Sequence, residues 1–486
     1  MQVLLLLTLA GGVLRFATLD GQSFWYDEAV TVRLLHMDLG GMLHTIPNSE
    51  ATPPLYYLLA WLWTKPFGTG EVGLRSLSAL VGTAAIPVFY AAATELCSRS
   101  VGLVVAALAA FNPLLIWYSQ EARSYALLVL LVGLSLWGFT RLLRRPDRTA
   151  VVLWAVASAL ALATHYFAIF LIAPELVWLA AAPKTRRPTL LAAAVVVATG
   201  LALLPLALHQ RSLDLGGYID ESPLVERVAR TIKNLVLGYE SPLEAVSSAT
   251  ALLIAAAAGA FALARPEASD RRGVRTAAVL GAAALALPLA LALAGADYVQ
   301  ARNLIVAWLP LAVVAGAGLA MLRRRSLGAA GAAVLCALGL ASVVGVALEP
   351  SWQRDDWRGM AHALGPARSA RAVVVGPVNG VVPLEIYLRG LSLFPPAGAK
   401  VREIALMYPV QRLSGGLHPA PPPRLAAPPI PGFRVVERRE TESYTLVLLR
   451  ARTPVLVRDL ALLSLSHAPM PGEEPTIRLQ RAGRTG

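Results

Sequence analysis

The chain has 486 residues, 56% of them hydrophobic and only 15% charged, which is too apolar for a soluble protein of this length and indicates a polytopic membrane protein. Its net charge of +13 falls in loops and tail, and no basic stripe is interleaved with aromatics, so no nucleic-acid partner is expected. Two cysteines, Cys97 at a helix end and Cys336 inside an apolar run, make neither a disulfide framework nor a thiolate metal site.

A spanning helix needs about 20 mostly apolar residues. In chain order such runs lie near 2–19, 76–96, 101–119, 126–142, 149–165, 167–182, 189–208, 245–264, 276–295, 303–321 and 327–347, so about eleven transmembrane helices are expected. The first run resembles a signal peptide but lacks a basic start and an Ala-x-Ala cleavage site before Asp20, and reads as an uncleaved anchor. Lys and Arg concentrate on the cytoplasmic side. The basic loops 141–148, 183–188, 265–275 and 323–326 all lie inside if the amino terminus does too. The segment "PPLYYLLAWLWTKPF", 53–67, is short and bounded by prolines; a span there would put the 141–148 loop outside, so it is placed as an interfacial or re-entrant outer helix.

With that sidedness the outer face receives residues 20–75, "SQEARSY" at 119–125, "THY" at 164–166, the long loop 209–242, "DYVQARN" at 297–303 and everything after about 348. Acid, amide, His and Tyr side chains converge on that face, and the inner face carries mainly basic anchors. After the last span the composition shifts to a small extracytoplasmic α/β domain over 349–455. "DDWRGMAHAL" reads as an amphipathic helix, "RAVVVGPV", "FRVVERRE" and "YTLVLLRAR" read as strands, and "HPAPPPRLAAPPIPG" reads as a proline-rich loop. Residues 456–486 read as a basic tail. The fold class is thus an α-helical polytopic membrane domain, 1–348, followed by a C-terminal α/β domain.

The residues that could carry chemistry sit at the outer helix ends. In "SFWYDEAV", 23–30, Asp27 and Glu28 are adjacent carboxylates. Their plain structural reading is an N-cap and a first-turn acid favoured by the helix dipole; their functional reading is chemistry at the outer face, and spacing alone does not choose between the two. For "SQEARSY" the plain reading is an interfacial anchor, with Tyr118 and Tyr125 in the aromatic belt and Arg123 snorkelling. Glu121 and Arg123 could instead face a polar cavity. No Gly-rich phosphate loop follows a strand, so no nucleotide pocket is indicated.

The order "SFWYDEAV", "PPLYYLLAWLW", "GLRSLSALVG", "SQEARSYALLVLL", "THYFAIFLI" and "ARNLIVAWLPL" resembles the GT-C superfamily of integral-membrane glycosyltransferases over about residues 10–325. Within it the chain is most similar to bacterial relatives of the dolichyl-phosphate-mannose protein mannosyltransferases and the lipid A aminoarabinose transferases. The resemblance implies inverting transfer of a sugar from a polyprenyl-phosphate carrier to a lipid, polysaccharide or protein acceptor at the outer face of a bacterial cytoplasmic membrane. It implies Asp27 as the catalytic base, with Glu28 and Glu121 supporting it. Several relatives carry an Asp near the 119–125 turn where this chain has Glu121. Arg123, Tyr125, His165, Tyr166, Arg302, Tyr57 and Glu50 are the substrate-binding candidates, Arg302 because a guanidinium fork matches phosphate oxygens. No cofactor is specified. Some relatives hold a divalent metal, for which His165 with Glu50 or Glu121 would be the candidates, without a metal-ligand spacing to support them. The rival readings are a ligase or polymerase using diphosphate-linked oligosaccharides, and a non-enzymatic carrier of lipid-linked sugars. The carrier is disfavoured because nearly all ionisable residues lie at span ends.

Overall fold

In a computed structural model the described residues are 1–213, 222–264, 270–410, 430–463, 465 and 475–482. The chain divides into two compact units, one of Met1–Leu19 with Leu34–Leu348 and one of Asp20–Arg33 with Glu349–Gly486.

The first unit is helical. It comprises α1 (Gln2–Phe16), the end of α2 (Tyr26–Leu35), α3 (Leu39–Ser49), α4 (Leu55–Phe67), α5 (Glu71–Leu96), α6 (Arg99–Phe111), α7 (Pro113–Ser119), α8 (Tyr125–Arg144) and α9 (Arg148–Thr164). It continues through α10 (Ile169–Ala181), α11 (Pro183–Ser212), α12 (Leu224–Leu237), α13 (Glu244–Ala264), α14 (Arg271–Leu293), α15 (Trp308–Ala320) and α16 (Arg325–Leu348). Among the described residues six helices, α5, α8, α11, α13, α14 and α16, are long and apolar enough to cross a membrane. The pair α6 and α7 passes the same test as one span bent by 58°. Four further apolar helices are shorter: Gln2–Phe16, Arg148–Thr164, Tyr166–Ala181 and Ile305–Ala320. This is a multi-pass membrane architecture.

The bend between α6 and α7 has a local cause. Pro113 has no N–H to give to the Ala109 carbonyl, so the helix ladder breaks there. Arg15, only 1% exposed, replaces the missing donors: Nη2 reaches Ala109 O at 3.0 Å, Nη1 reaches Ala110 O at 3.3 Å and Gly11 O at 2.9 Å, and Nε reaches Ser119 Oγ at 3.1 Å. A guanidinium at the carbonyl end of a helix is also favoured by the helix dipole. On the other side of the break Asn112 caps α7 through Oδ1, which accepts from Leu115 N at 3.0 Å. Its Nδ2 donates to Leu235 O and Val236 O at the end of α12. Gly82 of α5 lets α7 come close, because a Cβ there would lie 2.1 Å from Ser119 Oγ. One buried acid lies mid-helix. Glu175 Oε2 accepts from Ser135 Oγ at 2.6 Å and Trp154 Nε1 at 3.0 Å, joining α8, α9 and α10.

The second unit is built on a six-stranded sheet of order β2-β6-β1-β3-β5-β4. Its elements are α17 (Trp357–Leu364), β1 (Arg371–Val375), α18 (Val381–Tyr387), β2 (Leu391–Leu393), β3 (Ala399–Pro409), β4 (Phe433–Glu440), β5 (Tyr444–Val457), α19 (Asp459–Leu463) and β6 (Thr476–Gln480). β1 and β3 are parallel, and the other pairings are antiparallel. Both faces are covered, as period-2 alternation requires of a two-sided core. Ala372, Val374, Ile404, Leu406, Val447 and Leu449 pack on one face, and Val373, Val375, Ala405, Met407, Leu446 and Leu448 pack with Trp357 and Met360 on the other.

Across the middle of the sheet one row is polar. Gln480, Arg371, Glu403 and Arg450 are successive cross-strand partners on β6, β1, β3 and β5. Glu403 Oε2 accepts from Arg371 Nε at 2.9 Å, its Oε1 accepts from Arg450 Nε at 2.9 Å, and Arg371 Nη1 donates to Gln480 Oε1 at 3.1 Å.

The helix and the three strands read from sequence are present, and β2, β3 and β6 are additions. Residues 476–480 correct the expected tail: Ile477, Leu479 and Gln480 are packed inward, and β6 pairs with β1, close to the middle of the sheet. The acidic segment 20–33 is likewise grouped with this unit and not with the membrane helices. Residues 418–429 of the proline-rich stretch, 265–269 of the basic loop and 214–221 of the long loop lie outside the described residues.

Candidate active site

Within the helical unit the site grows from a helix end and a turn. Pro53 and Pro54 stop α3 from running into α4, so Glu50 becomes the extended C-cap of α3 and Tyr57 falls in the first turn of α4. The turn 120–124 between α7 and α8 is pinned by Gln120, whose Nε2 donates to Leu14 O and Thr18 Oγ1, both at 2.9 Å. From this turn Arg123 meets Glu50 side by side: Nη1 to Oε1 at 3.0 Å and Nη2 to Oε2 at 2.9 Å. Both residues are buried. The Arg123 guanidinium lies 5.9 Å from the centre of the Tyr57 ring, and Tyr57 Oη pairs with Thr52 Oγ1 at 3.1 Å.

Aromatic rings surround this pair. Tyr125 stands 4.5 Å from Tyr118 and 5.5 Å from His165, centre to centre, and His165 stands 5.0 Å from Phe167. Phe167 in turn touches Tyr298, at 5.1 Å. The hydroxyls of Tyr118 and Tyr239 share a hydrogen bond. Tyr239 is held by Lys233, whose Nζ donates to its carbonyl at 2.6 Å and pairs with Glu244 at 2.6 Å. The charges of Arg123 and Arg302 both act on His165, and those of Glu121 and Arg302 act on Tyr118. Glu121 is buried, and its carbonyl accepts from Arg123 N at 2.8 Å.

The structure therefore gathers Glu50, Tyr57, Glu121, Arg123, Tyr125, His165 and Arg302 around one end of the helices. Tyr166 is not among them. Its hydroxyl donates to Gln210 Oε1 at 2.7 Å, and its ring lines a separate apolar cleft of about 370 Å³ with Ile169, Ala173, Val196, Leu201 and Leu204. Lys233, in the long outer loop, is a staple for the 237–244 loop. Tyr239, Phe167 and Tyr298 were not signalled by any local pattern, since their roles come from packing against residues far along the chain. Beside the cluster, Arg227 grips Asp297 with Nη1 to Oδ1 at 2.7 Å and Nη2 to Oδ2 at 2.5 Å. The bond from Arg227 holds the Asp297 carboxyl below the ordinary range, with help from the Val299 N–H.

In the other unit Asp27 and Glu28 occupy the first turn of α2. The helix starts at Tyr26, so neither is its N-cap; both are first-turn acids that the dipole favours. Asp27 is half-buried with its carbonyl accepting from Thr31 Oγ1 at 3.1 Å, and Glu28 is fully buried.

Two of the residues expected to hold a divalent metal have partners within the protein. Arg123 meets both oxygens of Glu50, and His165 Nδ1 accepts from Phe167 N at 3.3 Å. Among the described residues no three His, Cys, Asp or Glu side chains converge.

Residues 51–209 match the family described as dolichyl-phosphate-mannose-protein mannosyltransferase. That stretch contains Tyr57, Glu121, Arg123 and His165 but neither Asp27 nor Glu28. No curated protein matches the chain in sequence. Among solved structures, apo ArnT from Cupriavidus metallidurans superposes with a TM-score of 0.56 at 14% identity, over 91% of this chain and 97% of that one. The same protein bound to undecaprenyl phosphate gives a TM-score of 0.53 at 15% identity with the same coverage. The fold is that of ArnT.

Proposed function

We propose that this protein is an inverting glycosyltransferase that moves a sugar from a polyprenyl-phosphate carrier to an acceptor hydroxyl at the outer face of a bacterial cytoplasmic membrane. The observation that carries the reading is the convergence of buried Glu50, Arg123, Glu121 and His165 and the half-buried Arg302, with their aromatic surround, at one end of apolar helices in a GT-C fold. A lipid-linked donor keeps its isoprenoid in the bilayer and its phosphosugar at headgroup depth, where such a cluster is useful. In this reading the four shorter apolar helices also cross the membrane, giving eleven spans with the amino terminus inside and the sheet unit outside.

In the reaction the acceptor oxygen attacks the anomeric carbon from the face opposite the phosphate. Its proton passes to the Asp27 carboxylate, and the bond from the anomeric carbon to the phosphate oxygen breaks, leaving polyprenyl phosphate and an inverted glycoside. One carboxylate suffices, because a phosphate ester leaves with little protonation, unlike the leaving group of a glycosidase. The leaving phosphate gathers charge, and Arg302 with Arg123 supplies the positive field that stabilises it. Glu50 fixes the Arg123 fork in one orientation, and Tyr57 packs against it. Glu28 and Glu121 are assigned supporting roles. The apolar cleft beside Tyr166 is suited to hydrocarbon and suits the isoprenoid of the donor.

The test is a panel of labelled polyprenyl-monophosphate and polyprenyl-diphosphate sugars offered to membranes containing the protein. Release of polyprenyl monophosphate from one monophosphate donor supports the reading. Turnover confined to diphosphate-linked oligosaccharides would replace it with a ligase or polymerase.

A further inference from the structure

We propose that the sheet unit fixes the segment bearing Asp27 and Glu28, and that Ser23 and Tyr387 are positioning residues for this acidic pair. The inference rests on the role given to Asp27 above. Four of the five residues from Asp20 to Phe24 bond to the loop before α17, to α17 itself or to α18. Arg358 Nη2 donates to Asp20 O at 2.7 Å, and Gln22 Oε1 accepts from Arg354 N at 2.9 Å. Ser23 Oγ donates to Asp355 O at 2.7 Å and accepts from Trp357 N at 3.1 Å. Phe24 N donates to Tyr387 Oη at 2.7 Å.

The bonds at Ser23 and Phe24 are the sheltered ones. Ser23 and Phe24 are each 2% exposed, so water cannot replace a lost partner cheaply. Trp357 is the first residue of α17, whose N-terminal N–H groups have no partner inside the helix. Asp356 takes the Gly359 N–H of that helix at 2.8 Å, and Ser23 takes the Trp357 N–H. The acidic segment therefore completes a helix cap of the sheet unit, and the cap in turn holds the segment.

The mechanical consequence follows from the chain. Only Trp25 separates Phe24 from the start of α2, and Ala29 N already closes a helical turn on Trp25 O at 2.9 Å. A clamped Phe24 thus sets the starting direction of a rigid helix whose second and third residues are Asp27 and Glu28. Misplacement of a base by about 1 Å can cost on the order of 100-fold in rate without altering substrate binding. On this account the sheet unit acts on the reaction through the orientation of the base.

The experiment compares wild type, Tyr387→Phe, Ser23→Ala and Ser23→Thr in full-length protein, reading both amide hydrogen exchange of peptides covering 20–30 and steady-state transfer. The expected result is exchange about tenfold faster over 20–30 in Tyr387→Phe and Ser23→Ala, with unchanged protection of β1 and β3. Transfer should show kcat about tenfold lower at unchanged donor KM, and Ser23→Thr, which keeps the hydroxyl, should recover most of it. Wild-type exchange over 20–30 in both variants overturns the inference, and so does faster exchange at wild-type kcat. If wild type turns over no polyprenyl-phosphate sugar, the functional reading fails by itself, and the exchange data still decide whether the sheet unit fixes the segment.

Discussion

The two units each bury an arginine–glutamate pair, and the pairs differ in how they are assembled. In the sheet, Arg371, Glu403 and Arg450 are cross-strand neighbours placed opposite one another by strand register, and Gln480 closes the row. In the helical unit, Glu50 and Arg123 come from a helix cap and an inter-helix turn that no register brings together. The first arrangement knits four strands, with two guanidinium groups sharing one carboxylate. The second holds a guanidinium under rings and beside other ionisable groups, at the end of a helix bundle. A buried ion pair is therefore no sign of function alone; convergence of polar groups from separate elements is the better sign.

That contrast can be broken by experiment. The largest effect belongs to Arg123→Gln, which leaves Glu50 buried without its fork: transfer should fall about 100-fold or more, measured as initial rates at matched protein levels. Rates within twofold of wild type would make the pair structural, like its counterpart in the sheet. Glu403→Gln should do the reverse. It leaves two guanidinium groups without their carboxylate and should cost about 3 kcal/mol of stability, seen in denaturant unfolding of the sheet unit, while turnover per folded molecule stays close to wild type.

Gly82→Ala asks whether the scaffold under the turn 120–124 is as unforgiving as the strand register. Its methyl group would press on Ser119, which Arg15 also holds, and should cost about 2 kcal/mol by overpacking, read as a lower unfolding temperature. The smallest effect is expected at Arg227–Asp297. Its folded carboxyl titrates below the unfolded one, so its contribution is present above the unfolded pKa of about 4 and is lost as pH falls through the folded value. The difference in unfolding temperature between wild type and Asp297→Asn should be constant from pH 5 to 7 and vanish in stronger acid. A difference that persisted below pH 2 would show that the bond contributes without its charge.

Much of the fold was legible because lipid imposes a simple rule on sequence: long apolar runs between basic loops. The strands at 371–375, 433–440 and 444–457 were legible from Val and Leu runs. β3 was not, because Glu403 interrupts it with a charge that makes sense only when Arg371 and Arg450 flank it in three dimensions. β6 was masked by basic surroundings for the same reason. In the helical unit's polar cluster, Glu121, Arg123 and His165 could be named from outer-loop position and resemblance. The Glu50–Arg123 pairing could not be read, since the partners are 73 residues apart without any periodic link. Arg15 lay hidden in an apolar run, its value depending on the carbonyls that Pro113 sets free. The docking of 20–24 onto α17 and α18 joins residues more than 330 apart, beyond any local signal.

The central claim, that Asp27 takes the acceptor proton in a glycosyl transfer, is tested most directly by Asp27→Asn on whichever donor the wild type turns over. The side chain keeps its shape and loses its basicity, so the variant should insert and unfold as wild type does while its rate drops about 100-fold or more. An undiminished rate from a correctly inserted Asp27→Asn protein would contradict the account and remove this residue from the mechanism.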